Sequence, residues 1–426
     1  MVEKSVKTKK AYLPWVMWGL GGCFYLYQFI LRVSPDVFVP DLIATFKVDA
    51  YSLGVLSAAY YYPYSFLQIP LGMLTDKFGP KKLITASMGF CVLGALLFSM
   101  SHVLWLAQAG RFLMGAGSAC AFICCLKLGS AWFTPQQFAR IVGFTMIFGT
   151  VGAIGGKAPL AYLTQHFGWR TSMTLVATIG VVFLLLVWFF VKDKPEKETG
   201  EPDLAEETLS LRDNLLVLAK EKQSWIIVSY ALMAYVPLTV FGDLWGTSFL
   251  ISAYEGLERT TAAICVSMMF VGICIGAPLC TYISDLLHSR KKVILATSFG
   301  CLAVVSSIVS FIGLLPFQSM YPLFFLMGLF IGGHYLNFIV ICERHPKNVS
   351  GTATGFTNWF TMSGAFIIQP LVGWLLDWSS GGSIKEGILN VADFRIALLA
   401  VPVALTLSIV LGSRIEETFP EGYKVR

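Results

Sequence analysis

Ionisable side chains lie within segments of this sequence that are otherwise apolar. Lys157 is the clearest basic example, because it stands in the glycine-rich stretch GTVGAIGGKAPLAYL, residues 149–163. A charge at the centre of a bilayer costs roughly 2.5–3.5 kcal/mol on insertion scales, so such a residue usually has a partner or a function. Asp243, in FGDLWG, is the clearest acidic example. A buried cation can bind an anionic group, and a buried carboxylate can carry a proton.

Basic residues outnumber acidic residues inside the apolar segments. This excess predicts a cavity that attracts an anionic group such as a carboxylate. We expect Lys157 to bind that group, assisted by Arg32 or Arg111. Arg32 and Asp36 are spaced i, i+4 and could form a salt bridge, either at a binding site or as a structural pair at the outer edge. The residues counted are Arg32, Arg111, Lys127 and Lys157 against Asp36 and Asp243.

Uncharged polar side chains in the same segments are candidates for the rest of a binding site. Tyr60, Tyr64 and Gln68 recur every four residues and therefore share one helical face. Tyrosines at this spacing often only pack, yet a hydroxyl buried in hydrocarbon needs a partner. The further candidates are Tyr25, Gln28, His334, Asn337, Asn358 and Gln369.

Membrane-spanning helices are the elements that must position these residues. The 426-residue chain is 56% hydrophobic and 13% charged, and its mean hydropathy of +0.70 exceeds that of soluble domains. Apolar runs of about 20 residues can each cross a hydrocarbon core of roughly 30 Å. We predict an all-α membrane protein with twelve transmembrane helices at residues 12–35, 51–74, 83–101, 104–131, 139–163, 169–191, 224–252, 260–283, 293–315, 320–342, 352–376 and 394–412.

The distribution of lysine and arginine predicts the orientation of the chain. If both termini are cytoplasmic, the inner segments hold 22 of the 31 basic residues and the outer loops hold five. Cytoplasmic loops are enriched in basic residues, so we predict cytoplasmic termini and a multi-pass plasma membrane protein, in the inner membrane of a bacterium. The net charge of +6 is then mainly a topology signal and indicates no nucleic-acid partner.

Two similar halves are predicted on either side of a charged segment. The predicted organisation is an N-terminal six-helix bundle (1–191), a cytoplasmic central loop (192–223), a C-terminal six-helix bundle (224–413) and a cytoplasmic tail (414–426). GMLTDKFGPKK and TYISDLLHSRKK align with an offset of 209, from Asp76 to Asp285. Pro159 and Pro370 align with an offset of 211. Such a duplication is typical of secondary transporters.

The loop after the second span resembles a motif of the major facilitator superfamily, G-x-x-x-D-[RK]-x-G-[RKP]-[RK]-[RK]. The resemblance covers the whole chain through the twelve spans, the repeat and the central loop. It implies a cytoplasmic latch in which Asp76 meets the start of the eleventh helix and Arg140, although these loop charges could also serve only to set topology. The latch residues are Gly72, Asp76, Gly79, Lys81, Lys82 and Arg140, with a second copy at Asp285, Arg290 and Lys291.

RFLMGAG, residues 111–117, resembles the R-x-x-x-G motif of the same family, which implies that Arg111 contacts substrate or takes part in proton coupling. The alternative is an arginine near the outer boundary whose head group reaches water. Lys127 lies nearer the predicted cytoplasmic side and could do the same at that face.

These features predict a secondary active transporter of a small carboxylate-bearing solute that works by alternating access. YYYPYSFLQIPLG and CLKLGSAWFTPQQFARIVG resemble a branch with amino-acid carriers of intracellular bacteria and lysosomal dipeptide transporters, which implies an amino acid or short peptide. We expect proton coupling through Asp243 or Asp36. An organic polyanion, such as a di- or tricarboxylate or a carboxylate siderophore, is the alternative substrate. A membrane sensor or partner subunit that does not transport is the second alternative.

No cofactor and no metal are expected. The spans contain neither H-E-x-x-H nor G-x-S-x-G, so an enzyme is not expected. All ten cysteines fall in predicted spans and are interpreted as small core side chains. The chain has no phosphate-binding P-loop, so ATP is not an expected partner. The expected partners are the lipid bilayer, the small-molecule substrate and protons.

Overall fold

The computed structural model describes residues 12–193, 211–346, 349–381, 384 and 390–419. Within these ranges, the side chains of residues 72, 73, 76, 135, 136 and 139 are not described. The described part folds into twelve long helical segments, here numbered α1 to α12, of which several are interrupted. A short linker helix, Leu211–Lys220, precedes α7.

The first six segments are α1 (Leu13–Phe46), α2 (Ala50–Ala58 and Tyr61–Phe78), α3 (Pro80–Met100), α4 (Leu104–Ser118 and Ala121–Trp132), α5 (Pro135–Gly155 and Ala158–Phe167) and α6 (Trp169–Phe190). The last six are α7 (Lys222–Pro237, a π-helical stretch Leu238–Trp245, and Gly246–Ala253), α8 (Arg259–Leu286), α9 (Arg290–Phe311), α10 (Phe317–Ser319, Met320–Ile331, Gly332–Tyr335 and Leu336–Arg344), α11 (Ser350–Ser380) and α12 (Val391–Leu398 and Ala400–Ser413).

Ten helical segments in the described residues are long and apolar enough to cross a membrane. The predicted all-helical membrane class is therefore confirmed, whereas the count of twelve spans and the cytoplasmic termini stay predictions. The two segments outside this set are α1 and α2. Both carry buried tyrosine and glutamine side chains, and α1 also buries Arg32 and Asp36; these polar residues lower the hydropathy.

Helix α1 is longer than predicted, since it continues from residue 35 to Phe46 through Pro35 and Pro40. Proline has no N–H for the carbonyl four residues earlier, so Pro35 leaves the carbonyl of Leu31 without its helical donor. The guanidinium of Arg111 donates to this oxygen from α4 at 2.7 Å, and the hydroxyl of Ser34 donates at 3.0 Å. These donors replace the missing bond, and the predicted end at residue 35 is wrong.

Close contacts at glycines hold the helices together where small side chains are required. A Cβ at Gly152 of α5 would lie 2.2 Å from the carbonyl oxygen of Leu26 in α1. A Cβ at Gly54 of α2 would lie 2.6 Å from the carbonyl oxygen of Gln369 in α11. The second contact joins the first six segments to the last six.

Several helices are interrupted near the middle of the bundle. Lys157 stands at the break in α5, between Gly155 and Ala158, with φ −107° and ψ −93°. Helix α7 widens into the π-helical stretch that contains Asp243, and α10 narrows into a 3₁₀ turn at Gly332–Tyr335. Such breaks free backbone groups and are frequent at functional sites of membrane proteins.

The linker helix lies against α11. Leu218 is fully buried, and the amide of Asn214 donates to the Thr352 hydroxyl at 3.3 Å. The predicted central loop, residues 192–223, thus contains a helix from Leu211 to Lys220, while residues 194–210 lie outside the described residues. The division into two bundles with a loop and a tail stays a prediction.

Candidate functional site

Arg32 lies at the centre of the molecule and joins α1 to α7. Its side chain is 3% exposed, and its Nη2 lies 3.1 Å from a carboxylate oxygen of Asp243. Nη2 also donates to the hydroxyl of Tyr235 at 3.0 Å, and Nε donates to the hydroxyl of Tyr61 at 3.1 Å. Within the described part of the chain, Nη1 donates to no protein acceptor. The guanidinium therefore keeps one donor group free.

Asp243 receives two hydrogen bonds at one of its oxygens. Arg32 and the hydroxyl of Tyr61, at 2.5 Å, both donate to Oδ2. The other oxygen, Oδ1, has no hydrogen-bond partner among the described residues, although the side chain is fully buried. A buried carboxylate with one unsatisfied oxygen can accept a proton or another donor without losing its existing bonds.

The predicted i, i+4 pairing of Arg32 with Asp36 is wrong. Asp36 instead forms an ion pair with Lys157 of α5, at 2.5 Å, and accepts from Thr247 of α7 through the backbone N–H at 3.1 Å and the hydroxyl. Thr247 lies in the first turn of the helix that follows the π-helical stretch. The N–H groups of a first helical turn have no partner in their own helix, and a carboxylate is favoured there by the helix dipole.

Lys157 is fully buried and lies against Asp36, so its charge is neutralised within the protein. The break in α5 leaves its side chain free to reach α1. Whether Lys157 contacts substrate stays a prediction, and the structure places it in an ion pair outside the cavity lining. We call Arg32, Asp36, Lys157 and Asp243 the central charge cluster.

The contacts of α1 with α7 join residues that are equivalent in the two halves. Arg32 and Asp243 are 211 positions apart, and so are Asp36 and Thr247. The same offset relates Pro159 to Pro370. Equivalent residues of a repeat can touch each other only near the pseudo-two-fold axis between the halves, so the central charge cluster lies on or beside this axis.

Arg111 is fully buried, but it is separate from the central charge cluster. It donates to the Leu31 carbonyl at 2.7 Å and to the Ser57 carbonyl at 3.5 Å, and it lies over the ring of Tyr60 at 4.7 Å. These contacts place Arg111 against α1 at Leu31, the residue that precedes Arg32. It supports the helix that carries the cluster, whereas contact with substrate stays a prediction.

The predicted face of α2 is buried, and its polar groups bond to neighbouring helices. The Tyr60 hydroxyl donates to Gln28 of α1 at 3.0 Å, and Tyr64 stacks on Tyr60 with ring centroids 5.8 Å apart. The Gln68 amide donates to the carbonyl of Ala119 at 3.1 Å. Tyr61, which does contact the cluster, is absent from the predicted set because it lies one position off this face.

The candidates of the last six segments are spread over three places. His334 is buried in the 3₁₀ turn of α10, 5.0 Å from the ring of Tyr235 and beside Asn337. Gln369 of α11 donates to the Thr239 carbonyl in the π-helical stretch at 3.0 Å. Asn358 is half-buried in α11. Of these residues, His334 is the one that packs against Tyr235, which in turn accepts a hydrogen bond from Arg32.

A cavity of about 670 Å³ extends from the cluster toward the predicted cytoplasmic side, between α5 and α8. The rings of Phe29 and Tyr235 line it and also lie within 6 Å of the Arg32 guanidinium carbon. Its apolar lining includes Phe29, Phe144, Ile147, Leu238, Phe270 and Ile273. The lining side chains with oxygen or nitrogen are Tyr25, Tyr235, Tyr335, Thr150, Thr281 and Arg140.

The opposite end of the bundle is closed by contacts between the two halves. Arg259 of α8 forms an ion pair with Asp41 of α1 at 2.5 Å, and the side chains of Gln165 and Thr260 meet at 3.4 Å. The carboxylate of Asp377 accepts from the first backbone N–H groups of α2. With the predicted orientation, the molecule is therefore open toward the cytoplasm and closed toward the outside.

The predicted latch is visible in part. The side chains of Gly72 and Asp76 are not described, so the contact of Asp76 with α11 and Arg140 stays a prediction. The basic side chains of Lys82, Lys127 and Arg140 are exposed. The Lys81 N–H donates to Asp193 at 2.6 Å, next to Gly79, whose φ of 78° favours glycine.

The second copy of the loop forms a denser network. Arg290 forms ion pairs with Asp285 at 2.6 Å and Glu343 at 2.9 Å. The carboxylate of Glu417 accepts from the backbone N–H groups of Arg290 and Lys291 and from the hydroxyl of Ser289. Burial alone would raise the pKa of Glu417, but the Ser289 hydroxyl and these N–H groups lower it below its ordinary value.

Glu417 follows α12, just as Asp193 follows α6. Each carboxylate accepts from N–H groups in the first turn of the third helix of its half. Sequence reasoning missed this pair, because neither residue lies in the motif loop that it stabilises.

The helical bundle, the buried charge cluster on its pseudo-axis and the cavity open at one end define the class of secondary membrane transporters. The chain belongs to the Major Facilitator Superfamily, whose family model matches residues 18–370. The resemblance seen in the sequence is thereby confirmed, and the protein is a multi-pass membrane protein.

The chain is similar over most of its length to several bacterial proteins. It is 24% identical to the hexuronate transporter of Bacillus subtilis, over 86% of this chain and 89% of the relative. It is 24% identical to a protein of Chlamydia trachomatis named "Probable hexose phosphate transport protein", over 88% of each chain. It is 25% identical to the membrane sensor protein UhpC of Salmonella typhimurium, over 88% of each chain.

The fold is also that of a solved transporter structure. A bacterial homolog of the human lysosomal transporter Spinster, crystallised in an inward-facing and unoccupied conformation, superimposes with a TM-score of 0.73. The match covers 95% of this chain and 96% of that chain at 13% sequence identity. At this identity the likeness supports the fold alone.

Proposed function

We propose that the protein is a secondary active transporter that moves a small organic anion across the membrane by alternating access. The observation that carries this proposal is the guanidinium of Arg32, which lies against two rings of the cavity lining, Phe29 and Tyr235, and whose Nη1 has no acceptor among the described residues. The side chain is nearly buried, yet the protein leaves this donor group available to a ligand. A carboxylate or phosphate that enters the cavity would supply the missing acceptor.

The hydroxyl groups around Arg32 hold its guanidinium in place. Tyr61 and Tyr235 accept from Nε and Nη2, which fixes the plane of the guanidinium. An arginine held in this way can bind an anion through Nη1 at little further entropic cost. Arg111 and Lys157 are assigned supporting roles, since Arg111 bonds to the Leu31 carbonyl, Lys157 pairs with Asp36, and neither lines the cavity or contacts a ring of its lining.

The relatives support an anionic solute. A hexuronate carries a carboxylate, and a hexose phosphate carries a phosphate. Neither relative is named for an amino acid or a peptide. We therefore prefer an organic anion over the predicted amino acid or peptide, and retain from the predicted polyanion alternative only its anionic character. We place the protein in the inner membrane of a bacterium, with both termini in the cytoplasm.

Proton coupling through Asp243 is part of the proposal. Asp243 and the incoming anion would share the single positive charge of Arg32, which is unfavourable unless one of the two anions is protonated. Protonation of Asp243 and binding of the anion then favour each other. Asp36 is less suited to this role, because Lys157 and Thr247 already satisfy both of its oxygens.

Arg32→Gln tests the anion site. We expect it to weaken binding of a hexuronate or hexose phosphate roughly 10- to 100-fold, the loss of a charge-assisted hydrogen bond of about 1.5–3 kcal/mol. Binding is measured by calorimetry on the purified protein, and uptake in proteoliposomes. Arg32→Lys keeps the positive charge but lacks the guanidinium group, and it should give an intermediate loss of anion affinity.

Two further variants make this test decisive. Arg32→Gln leaves Asp243 without its cation, so the double variant with Asp243→Asn controls for misfolding. Arg212→Gln, on the exposed face of the linker helix, is the matched control and should bind like the wild type. Unchanged anion affinity in the folded double variant would rule out Arg32 as the anion site.

A sensor is the second candidate, because one relative of nearly equal identity is a membrane sensor protein. A sensor would use the same anion site to change conformation without net flux. Proteoliposomes discriminate the two functions: binding together with uptake supports transport, and binding without any uptake or exchange supports the sensor.

A further inference from the structure

We infer that the anion carried by this protein is a monoanion with an apolar, preferably aromatic, body, rather than a polyhydroxylated sugar acid or a zwitterion. The inference rests on the proposed anion site at Arg32. It adds the chemical class of the remainder of the substrate, which the cavity walls determine.

The walls of the cavity are mainly apolar. Phe144 and Ile147 of α5, Phe270 and Ile273 of α8 and Leu238 of α7 contribute to its lining. Such walls stabilise an apolar surface that leaves water. Aromatic rings at the Arg32 end, including Phe29 and Tyr235, offer edges and faces against which a further ring can pack.

The cavity offers few partners for hydroxyl groups. Near Arg32, its hydrogen-bonding side chains are the phenols of Tyr25, Tyr235 and Tyr335, and Tyr235 already accepts from Arg32. A sugar acid carries several hydroxyl groups, and each one that is buried without a partner loses its bonds to water. A site that selects a sugar acid would present more side-chain amides and carboxylates along the body of the ligand.

The cavity also lacks a site for an ammonium group. Among the described residues that line it, Arg140 is the charged one, and it lies at the mouth; neither aspartate nor glutamate is present. Asp243 lies behind Tyr235 and Arg32 and is bonded to Arg32 and Tyr61. The amino group of an amino acid would be buried against apolar walls with no counter-charge, which is strongly unfavourable.

A matched set of three ligands tests this inference on the full-length protein in lipid nanodiscs. Phenylacetate has a carboxylate and an aryl body, L-phenylalanine adds only an ammonium group and one carbon, and D-glucuronate replaces the aryl body with hydroxyl groups. Affinities are measured by calorimetry. We expect phenylacetate to bind at least tenfold more tightly than either of the other two.

A wall variant and a site variant separate the two proposals. Ile273→Asn adds an amide to the wall and should reduce the ratio of phenylacetate affinity to glucuronate affinity at least threefold. Arg32→Lys should weaken the binding of both ligands. If glucuronate or phenylalanine binds more tightly than phenylacetate in a way that depends on Arg32, the inference about the body is wrong and the anion site stands. If none of the three ligands responds to Arg32→Lys, the anion site itself fails.

Discussion

Arg111 shows how a single buried cation can support a site that it does not enter. Pro35 removes the N–H that would bond the Leu31 carbonyl, and Arg111 supplies a replacement from α4. Arg32 follows Leu31 directly, so the position of its guanidinium depends on this segment of α1. If Arg111 supports α1 in this way, its contribution to stability should depend on Pro35. A role in substrate binding alone would not predict this dependence.

The test is a double-mutant cycle of Arg111→Met and Pro35→Ala. Pro35→Ala restores an N–H that can bond Leu31, so the loss of stability caused by Arg111→Met should be smaller in this background by about 1–3 kcal/mol. Stability is measured by thermal unfolding of the purified protein. Arg212→Met in both backgrounds is the control, and additive effects of Arg111→Met and Pro35→Ala would contradict the interpretation.

At the same scale, the sequence could identify the buried ionisable residues but not their partners. Arg32, Asp36, Lys157 and Asp243 stand out because each is costly inside an apolar helix. Spacing along one helix suggested that Arg32 and Asp36 pair. The observed partners come from α5 and α7, and the contact between helices so distant in sequence depends on the packing of the whole bundle rather than on local spacing.

At the scale of elements, the interruption of α7 creates a helix end inside the membrane. The helix that begins at Gly246 exposes N–H groups in its first turn, and Asp36 of α1 accepts from Thr247 by the backbone and the hydroxyl. This contact joins the two halves on the closed side of the cavity, so it must break when that side opens. Under the proposed alternating access, it would be one of the bonds that set the balance between the two open states.

Thr247→Val should shift this balance. It removes the hydroxyl bond to Asp36, about 1.5–3 kcal/mol for a bond to a charged group, which is roughly a tenfold or larger shift away from the outer-closed state. The measurement is the rate of disulfide formation between cysteines introduced at Gln165 and Thr260, whose side chains meet at the closed end. We expect slower crosslinking in Thr247→Val.

Thr239→Val is the matched control in the same helix. Among the described residues, the Thr239 hydroxyl bonds to the Val236 carbonyl of its own helix and to no other group, so this variant should crosslink at the wild-type rate. Equal rates in Thr247→Val and wild type would show that the Asp36 contact does not hold the outer end closed.

Helix breaks are also the features of the helices that the sequence did not predict. Apolar runs locate most helices, since ten segments satisfy length and hydropathy alone. They do not locate the break at Lys157 or the π-helical stretch around Asp243, because both depend on partners supplied by α1. The predicted end of α1 at a proline failed for the same reason, since Arg111 compensates for Pro35.

At the scale of the whole molecule, two halves with an offset of 211 place a cation of one half against an acid of the other. Arg32 and Asp243 are equivalent positions, and they meet at the axis about which the halves would rock. A pair on the axis can stay together in both open states, whereas contacts away from the axis must exchange. Under the proposed function, the central pair would therefore be the part of the molecule that responds to substrate and proton in either state.

Asp243→Asn should uncouple transport from the proton gradient. The amide keeps the size of the carboxylate but carries no charge, so Arg32 would bind an anion without competition and without uptake of a proton. In proteoliposomes, we expect the variant to exchange phenylacetate or glucuronate across the membrane but not to accumulate it when a proton gradient is imposed.

The pH dependence of anion affinity gives a second measurement. Affinity in the wild type should fall from acidic to neutral pH, and this slope should disappear in Asp243→Asn. The control Asp213→Asn, on the linker helix, should retain it. Gradient-driven accumulation in Asp243→Asn at the wild-type level would mean that another group carries the proton, and Asp36, the remaining acid of the cluster, would then be the residue to test.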